Sequence, residues 1–168
     1  MTRRMAVFLP VVVVSCFCLS RCATTVTVNA TASPDDYTNC RRTGSAVIAG
    51  EAFAKTKAGD VKPASGYRIH LDPATPYSTA VYRALKQAGD LHSEKEDEAY
   101  QWDQMALSCR RSVTADSTGH FRFERVKAGS YYVSCYIRWQ TRGSWTGGWQ
   151  VQAVRVADGQ QLEGVVVH

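Results

Sequence analysis

The chain has 168 residues, of which 45% are hydrophobic and 21% charged, enough for one domain with a single core. Its formal net charge is +5; if Arg3 and Arg4 leave with an export segment, 18 basic residues face 15 acidic ones, a net charge of +3. These charges are scattered along the chain. A nucleic-acid partner is therefore not expected, because such a protein needs a basic face to neutralise phosphates.

The N-terminus predicts export. A basic start at Arg3 and Arg4 is followed by an apolar run over residues 5–14 and then by small residues, which are the three parts of a secretory signal. A transmembrane helix needs about 20 apolar residues, and the run remains shorter than that even when it is extended to Leu19. The sequence therefore predicts a signal peptide over residues 1–15.

Cysteines at the end of this signal predict a lipid anchor. The segment 13–16 resembles a bacterial lipobox and makes Cys16 the predicted attachment site. Cys22 is the fallback, because Arg21 stands where a small side chain is wanted, and an ordinary cleavage near Ala23 or Ala30 is the alternative. Acylation would make the membrane a partner. The expected location is the bacterial cell envelope, with the domain facing the periplasm or the exterior.

Residues 16–43 are expected to form a flexible tether. Its central part, residues 23–39, is rich in Thr, Ala, Ser, Asn and Asp and has little apolar content, so it cannot bury enough surface to order itself. The folded domain is predicted over residues 44–168.

Short alternating runs, broken by Gly, Pro and Asp, indicate a mainly β domain with seven strands. In the fifth, alternate residues from Tyr131 to Trp139 are apolar, so this face is expected to pack against a second sheet. In the sixth, the apolar phase slips after Ala153, which predicts a β-bulge. The predicted strands cover residues 46–53, 67–72, 109–115, 121–124, 131–139, 149–156 and 162–167.

A partly helical insertion, residues 73–107, separates the second and third predicted strands. Apolar residues at helical spacing between Tyr77 and Ala88, followed by Gly89, predict one helix. The acidic residues 94–98 lack the spaced oxygen ligands of a calcium loop and are interpreted as a solvated segment.

The stretch from Asp116 to Val133 resembles the hairpin signature of carboxypeptidase regulatory-like domains. It has an Asp and a Gly at a turn, two alternating aromatic residues, and then a Gly and a Tyr that lead into the next sheet: Asp116, Gly119, Phe121, Phe123, Gly129 and Tyr131. The resemblance implies a transthyretin-like β-sandwich of Greek-key topology. It implies little about function, because such modules serve as companions, spacers, adhesion units and carbohydrate-binding neighbours.

Catalytic motifs are missing from the sequence. The four histidines, His70, His92, His120 and His168, have no zinc-type spacing, and no nucleophile elbow or phosphate loop is found. His70 is expected to point outward from its strand. The chain is interpreted as non-enzymatic, with no catalytic residue, no cofactor and no metal site.

The domain contains three cysteines, and export permits disulfides. Cys109 and Cys135 share strand phases with inward-facing residues, so a Cys109–Cys135 disulfide is predicted. The alternatives are Cys40–Cys109, Cys40–Cys135 or three buried thiols.

Aromatic residues between the fifth and sixth strands provide the lead for binding. Trp145 lies among Gly, Ser and Thr, and with Trp149 and Arg142 it forms a candidate ligand site, because an exposed ring offers a flat face to a sugar or a protein. In the alternative interpretation, Trp139 and Trp149 are core residues and Trp145 only closes the hairpin. The predicted function is a non-catalytic structural or protein-interaction module on the envelope, and the alternative is a carbohydrate-binding module that uses the Trp145 loop.

Overall fold

The computed structural model describes residues 26–89 and 100–168. In this part of the chain, two sheets pack face to face and helices cover the outer face of the second sheet. The helices are α1 (Pro34–Tyr37), α2 (Pro76–Ala88) and α3 (Gln104–Cys109). The strands are β1 (Ala46–Lys55), β2 (Val61–Pro63), β3 (Arg68–Pro73), β4 (Arg111–Thr114), β5 (His120–Val126), β6 (Gly129–Thr141), β7 (Ser144–Val156) and β8 (Gln161–Val167).

The first sheet is organised around β1, which pairs antiparallel with β2 and β5 and parallel with β8. Where β8 passes β1, a Cβ on Gly50 would lie 1.9 Å from the carbonyl oxygen of Val165. Only glycine allows this approach, so the close pairing of the two strands depends on that residue.

The second sheet has the strand order β4-β3-β6-β7, and its pairs are antiparallel. The β6–β7 register continues without a shift from Gly129–Val156 to Thr141–Ser144. The prediction of a β-bulge after Ala153, in β7, is therefore wrong. Trp149 and Val151 face the helices, while Val154 and Val156 face the other sheet, so the apparent slip reflects burial of both faces of β7.

The core between the sheets is mostly aliphatic, with two phenylalanines from β5. It includes the predicted inward face of β6, where Val133, Cys135 and Ile137 are buried. This face packs against β1, β5 and β8 of the first sheet, as the alternation in the sequence indicated. The mainly β, two-sheet sandwich architecture is confirmed. The described residues contain eight strands rather than seven, because the three-residue β2 was not predicted.

A second core lies on the other side of the second sheet, beneath what we call the helical layer: α1, α2, α3 and residues 26–33. This core is rich in aromatic side chains: Tyr37, Tyr77, Tyr82, Tyr100, Trp102, Tyr136 and Trp149. The predicted helix of the insertion is confirmed as α2. It begins with a capping box between Thr75 and Ser78 and ends at Gly89, whose φ is 66°.

The disulfide joins Cys40 to Cys109, so the predicted Cys109–Cys135 bridge is wrong. Its premise was that Cys109 is a strand residue facing the sandwich core. Cys109 instead ends α3 on the outer side of the second sheet, whereas Cys135 lies in the core between the sheets.

Residues 26–37 form part of the helical layer and residues 38–43 follow it, although all of them belong to the segment expected to be a flexible tether. Ala32 and Tyr37 are buried, the Tyr37 hydroxyl lies 2.9 Å from Thr75 Oγ1, and Cys40 forms the disulfide. This part of the expected tether is thus held against the domain. The predicted signal peptide, Cys16, Cys22 and the acidic residues 94–98 lie outside the described residues. Among those that are described, no helix has the length and apolarity to cross a membrane.

Candidate functional site

An open groove lies at one end of the sandwich, between the β1–β2 hairpin and the β6–β7 hairpin. We call it the hairpin groove; its volume is about 840 Å³. Its lining is polar, basic and aromatic, and comprises Lys55, Thr56, Lys57, Ala58, Asp60, Lys62, Trp139, Gln140, Thr141 and Thr146.

The first wall of the groove is set by a tight turn. Thr56 and Asp60 exchange hydrogen bonds: the Thr56 amide donates to the Asp60 carbonyl, and the Asp60 amide donates to Thr56 Oγ1. Gly59 supplies a φ of 93° at this turn. This turn returns the chain into β2, where Lys62 pairs with Ala54. Since Ala54 faces the core, the Lys62 side chain begins on the inner face of the sheet.

The second wall comes from the long β6–β7 ribbon. Trp139 pairs with Thr146, so both side chains lie on the same face, and Trp139 is half-buried against the edge of the sandwich core. The groove is thus the place where the inner faces of the two sheets separate and their end residues become accessible. An indole from one sheet faces a lysine-rich hairpin from the other.

Basic side chains outnumber acidic ones in the lining of the groove. Three lysines line it against one carboxylate, Asp60, whose Oδ2 accepts a hydrogen bond from Thr56 Oγ1 at 3.4 Å. The Lys55 ammonium lies 5.7 Å from the centre of the Phe53 ring. In the described part of the chain, neither Lys55 nor Lys62 forms a salt bridge. Their charges are therefore available to a ligand.

The candidate ligand residues predicted from the sequence do not form a single surface. Arg142 is exposed in the β6–β7 turn, with a φ of 48°. Trp145 is partly buried, with the Arg138 guanidinium 4.5 Å from its ring centre, and lies on the face of the ribbon opposite Trp139. Trp149 is only 5% exposed, in the core beneath the helical layer, and this burial removes it from the predicted site.

A buried polar network holds the helical layer to β3. Arg110 Nε donates to Asp72 Oδ1 at 2.9 Å, the Tyr82 hydroxyl donates to Asp72, and that hydroxyl lies 2.7 Å from Ser134 Oγ. Burial, followed by the charge of Asp72, raises the pKa of Tyr82 well above its usual value. His70, expected to point outward, is 3% exposed under this layer, and its Nδ1 lies 2.8 Å from Ser112 Oγ. These buried contacts fix the helical layer to the second sheet.

The signature turn before β5 has its own polar geometry. The Asp116 carboxylate accepts hydrogen bonds from the amides of Thr118 and His120 and from Thr118 Oγ1. These bonds, led by the one from the Thr118 hydroxyl, lower the pKa of Asp116 to about 2. Gly119 has a φ of 91°, as expected for this turn. The Thr118 hydroxyl donates to Asp116 and lies 2.7 Å from His120 Nδ1, so the three side chains brace this turn.

Sequence reasoning missed the lysines of the groove. The sequence did contain a signal for this hairpin. Gly59-Asp60 indicates a turn, and the strand ends on both sides of it carry lysines, Lys55 and Lys62. What the sequence could not show is that this hairpin meets Trp139. That juxtaposition depends on how the two sheets stack.

Neither a family model nor a curated relative matches the sequence. A solved structure does match: a crystal structure of a protein from Pseudomonas aeruginosa, described as a "putative carbohydrate binding protein". The two chains share 25% sequence identity and superpose with a TM-score of 0.68, over 82% of this chain and 97% of the other. The chain is therefore similar in fold to this Pseudomonas protein over nearly the whole length of the latter.

Proposed function

We propose that this protein is a non-catalytic glycan-binding module of the bacterial cell envelope and that the hairpin groove is its binding site. The observation that carries the proposal is the indole of Trp139 in an open groove whose other lining side chains are almost all polar. The pairing of an aromatic platform with amide, hydroxyl and ammonium groups suits a sugar, which has apolar CH faces and a polar rim. The volume of about 840 Å³ falls in the usual range of small-ligand sites, roughly 300–1,000 Å³.

The description of the Pseudomonas neighbour supports this choice over a purely structural role. The proposal also retains the expectations drawn from the N-terminus: export through the signal at residues 1–15, acylation at Cys16 or Cys22, and display from a membrane. It further assigns the sandwich to the Greek-key, carboxypeptidase regulatory-like type, on the resemblance of the stretch from Asp116 to Val133. The site then lies in the groove rather than in the Trp145 loop.

The test is a glycan array with variants on the two faces of the same hairpin. Trp139→Ala should abolish binding and Trp145→Ala should leave it nearly unchanged. Because Trp139 also packs on the core, Thr146→Gln serves as a second groove variant, which fills the space beside the indole with an uncharged side chain. Loss of binding in Trp145→Ala alone would return the site to the predicted loop, and absence of any bound glycan would refute the proposed function.

A protein-interaction module is the second candidate function. An open concavity of about 800 Å³ on the first sheet favours this function. Ion pairs lie at the concavity. Arg122 bridges Glu163 at 2.9 Å and Glu124 at 3.3 Å there. Co-purification of an envelope protein that survives Trp139→Ala and excess sugar, but is lost in Arg122→Ala, would favour this function.

A further inference from the structure

We infer that the ligand of the hairpin groove is an acidic glycan, one whose sugars carry carboxylate, sulfate or phosphate groups. This inference rests on the proposed function, and it names the class of sugar that the site selects. It comes from charge, which is independent of the aromatic platform.

The first step is the source of the charge. Lys55 and Lys62, which form no salt bridge within the described residues, both come from the β1–β2 hairpin and line the groove beside a single carboxylate, Asp60. Asp60 is engaged by its own turn through Thr56, which holds it in place at the edge of the hairpin. The positive charge is thus fixed by the local fold and does not depend on the scattered charges elsewhere in the domain.

The second step is the position of Lys62. Its pairing with Ala54 starts the side chain on the inner face of the sheet, and it is the least exposed of the three lysines. Trp139 reaches the groove from the opposite sheet. A sugar ring stacked on the indole would thus lie in the same groove as the Lys62 side chain. A charged substituent gains a charge-assisted hydrogen bond there, about twice as strong as a neutral one.

The third step distinguishes a glycan from other anions. A lipid headgroup or a nucleic acid would be drawn by the same lysines, but a membrane surface does not reach into a groove between two hairpins. Stacked nucleic acid would require several exposed aromatic rings and a basic stripe along the backbone. The groove offers one indole beside hydroxyl and amide side chains, Thr56, Thr141, Thr146 and Gln140, which match the rim of a sugar.

The test uses glycans that differ only in charge. Affinity of the full-length protein is measured for an oligogalacturonate and for its methyl ester, which share ring and linkage, and for a second such acid and ester pair of another uronic acid. We expect at least a tenfold preference for the acids, and a loss of that preference when the salt concentration is raised from about 0.05 to about 0.5 M. Lys62→Gln should weaken binding of the acids by about threefold to tenfold and leave binding of the esters unchanged.

Lys127→Gln is the matched control, because it removes the same charge from an exposed lysine outside the groove. An equal effect of this variant would show that net charge alone attracts the acids, and would overturn the inference. Trp139-dependent binding of acids and esters with equal affinity would also overturn it, while leaving the proposed function intact. Binding of phosphatidylglycerol vesicles or single-stranded DNA with the same dependence on Lys62 would show a general anion site, and the assignment to a glycan would then fall.

Discussion

Removal of the Cys40–Cys109 disulfide should cost this domain a large share of its stability. The bridged residues are 69 positions apart, and the entropy of closing a loop of that length corresponds to about 4 kcal/mol at 25 °C. Domains of this kind have a total free energy of unfolding of about 5–15 kcal/mol. The variant Cys40→Ala/Cys109→Ala should therefore remain folded at room temperature but lose a substantial part of its resistance to denaturant.

Guanidinium unfolding of four samples measures this loss: the protein and the double variant, each with and without dithiothreitol. The reductant should destabilise the protein by about 4 kcal/mol and have no effect on the double variant. Cys135→Ala is the matched control, because Cys135 lies in the sandwich core and its loss should cost the same in oxidised and reduced samples. A non-reduced digest that joins Cys109 to Cys135, or a loss below about 1 kcal/mol on reduction, would refute the pairing or its role.

Three further predictions concern single residues. Gly119→Ala should lower the free energy of unfolding by roughly 1–3 kcal/mol, since its φ is 91° and a Cβ would lie 2.6 Å from the Ala52 carbonyl oxygen; Gly59→Ala, with a similar φ and open space, should cost less in the same denaturation assay. Tyr82→Phe should cost about 1–3 kcal/mol, because it leaves buried Asp72 without the hydroxyl that donates to it. The pKa of Asp116, followed by NMR, should lie at about 2; because it is lowered on folding, its contribution to stability is present above its unfolded pKa and is lost as the pH falls through 2.

Local signals explain which elements the sequence predicted. Helix α2 carries its own cap, amphipathic spacing and terminal Gly89, so it could be recognised without knowing its neighbours. The turn that ends at Gly119 could likewise be predicted from its own residues. Helix α3 has only six residues and its start depends on the Asp103 cap, so its C-terminal Cys109 looked like the beginning of a strand. That error produced the wrong disulfide.

Burial on both faces of the second sheet explains most of the other errors. The expectation that His70 points outward assumed a half-buried strand, and the slip in β7 was interpreted as a bulge for the same reason. The helical layer covers that face, so His70 and Trp149 are both buried. The strand sequences alone do not indicate that residues 26–37 and the insertion cover the outer face of the second sheet. Likewise, Trp139 and Lys62 line the same groove only because two hairpins from different sheets end at the same place.

The groove and the helical layer occupy different parts of the sandwich, and this separation makes stability and binding independently testable. The disulfide fastens the segment before β1 to α3, whereas the groove residues come from the ends of the β1–β2 and β6–β7 hairpins. Below its melting temperature, the double cysteine variant should therefore bind the acidic glycan with an unchanged Kd. One route for coupling exists at Gly148, where a Cβ would lie 3.0 Å from the carbonyl oxygen of Gly89 at the end of α2. A Kd that weakens in parallel with stability would mean that α2 sets the position of the β6–β7 ribbon through this contact.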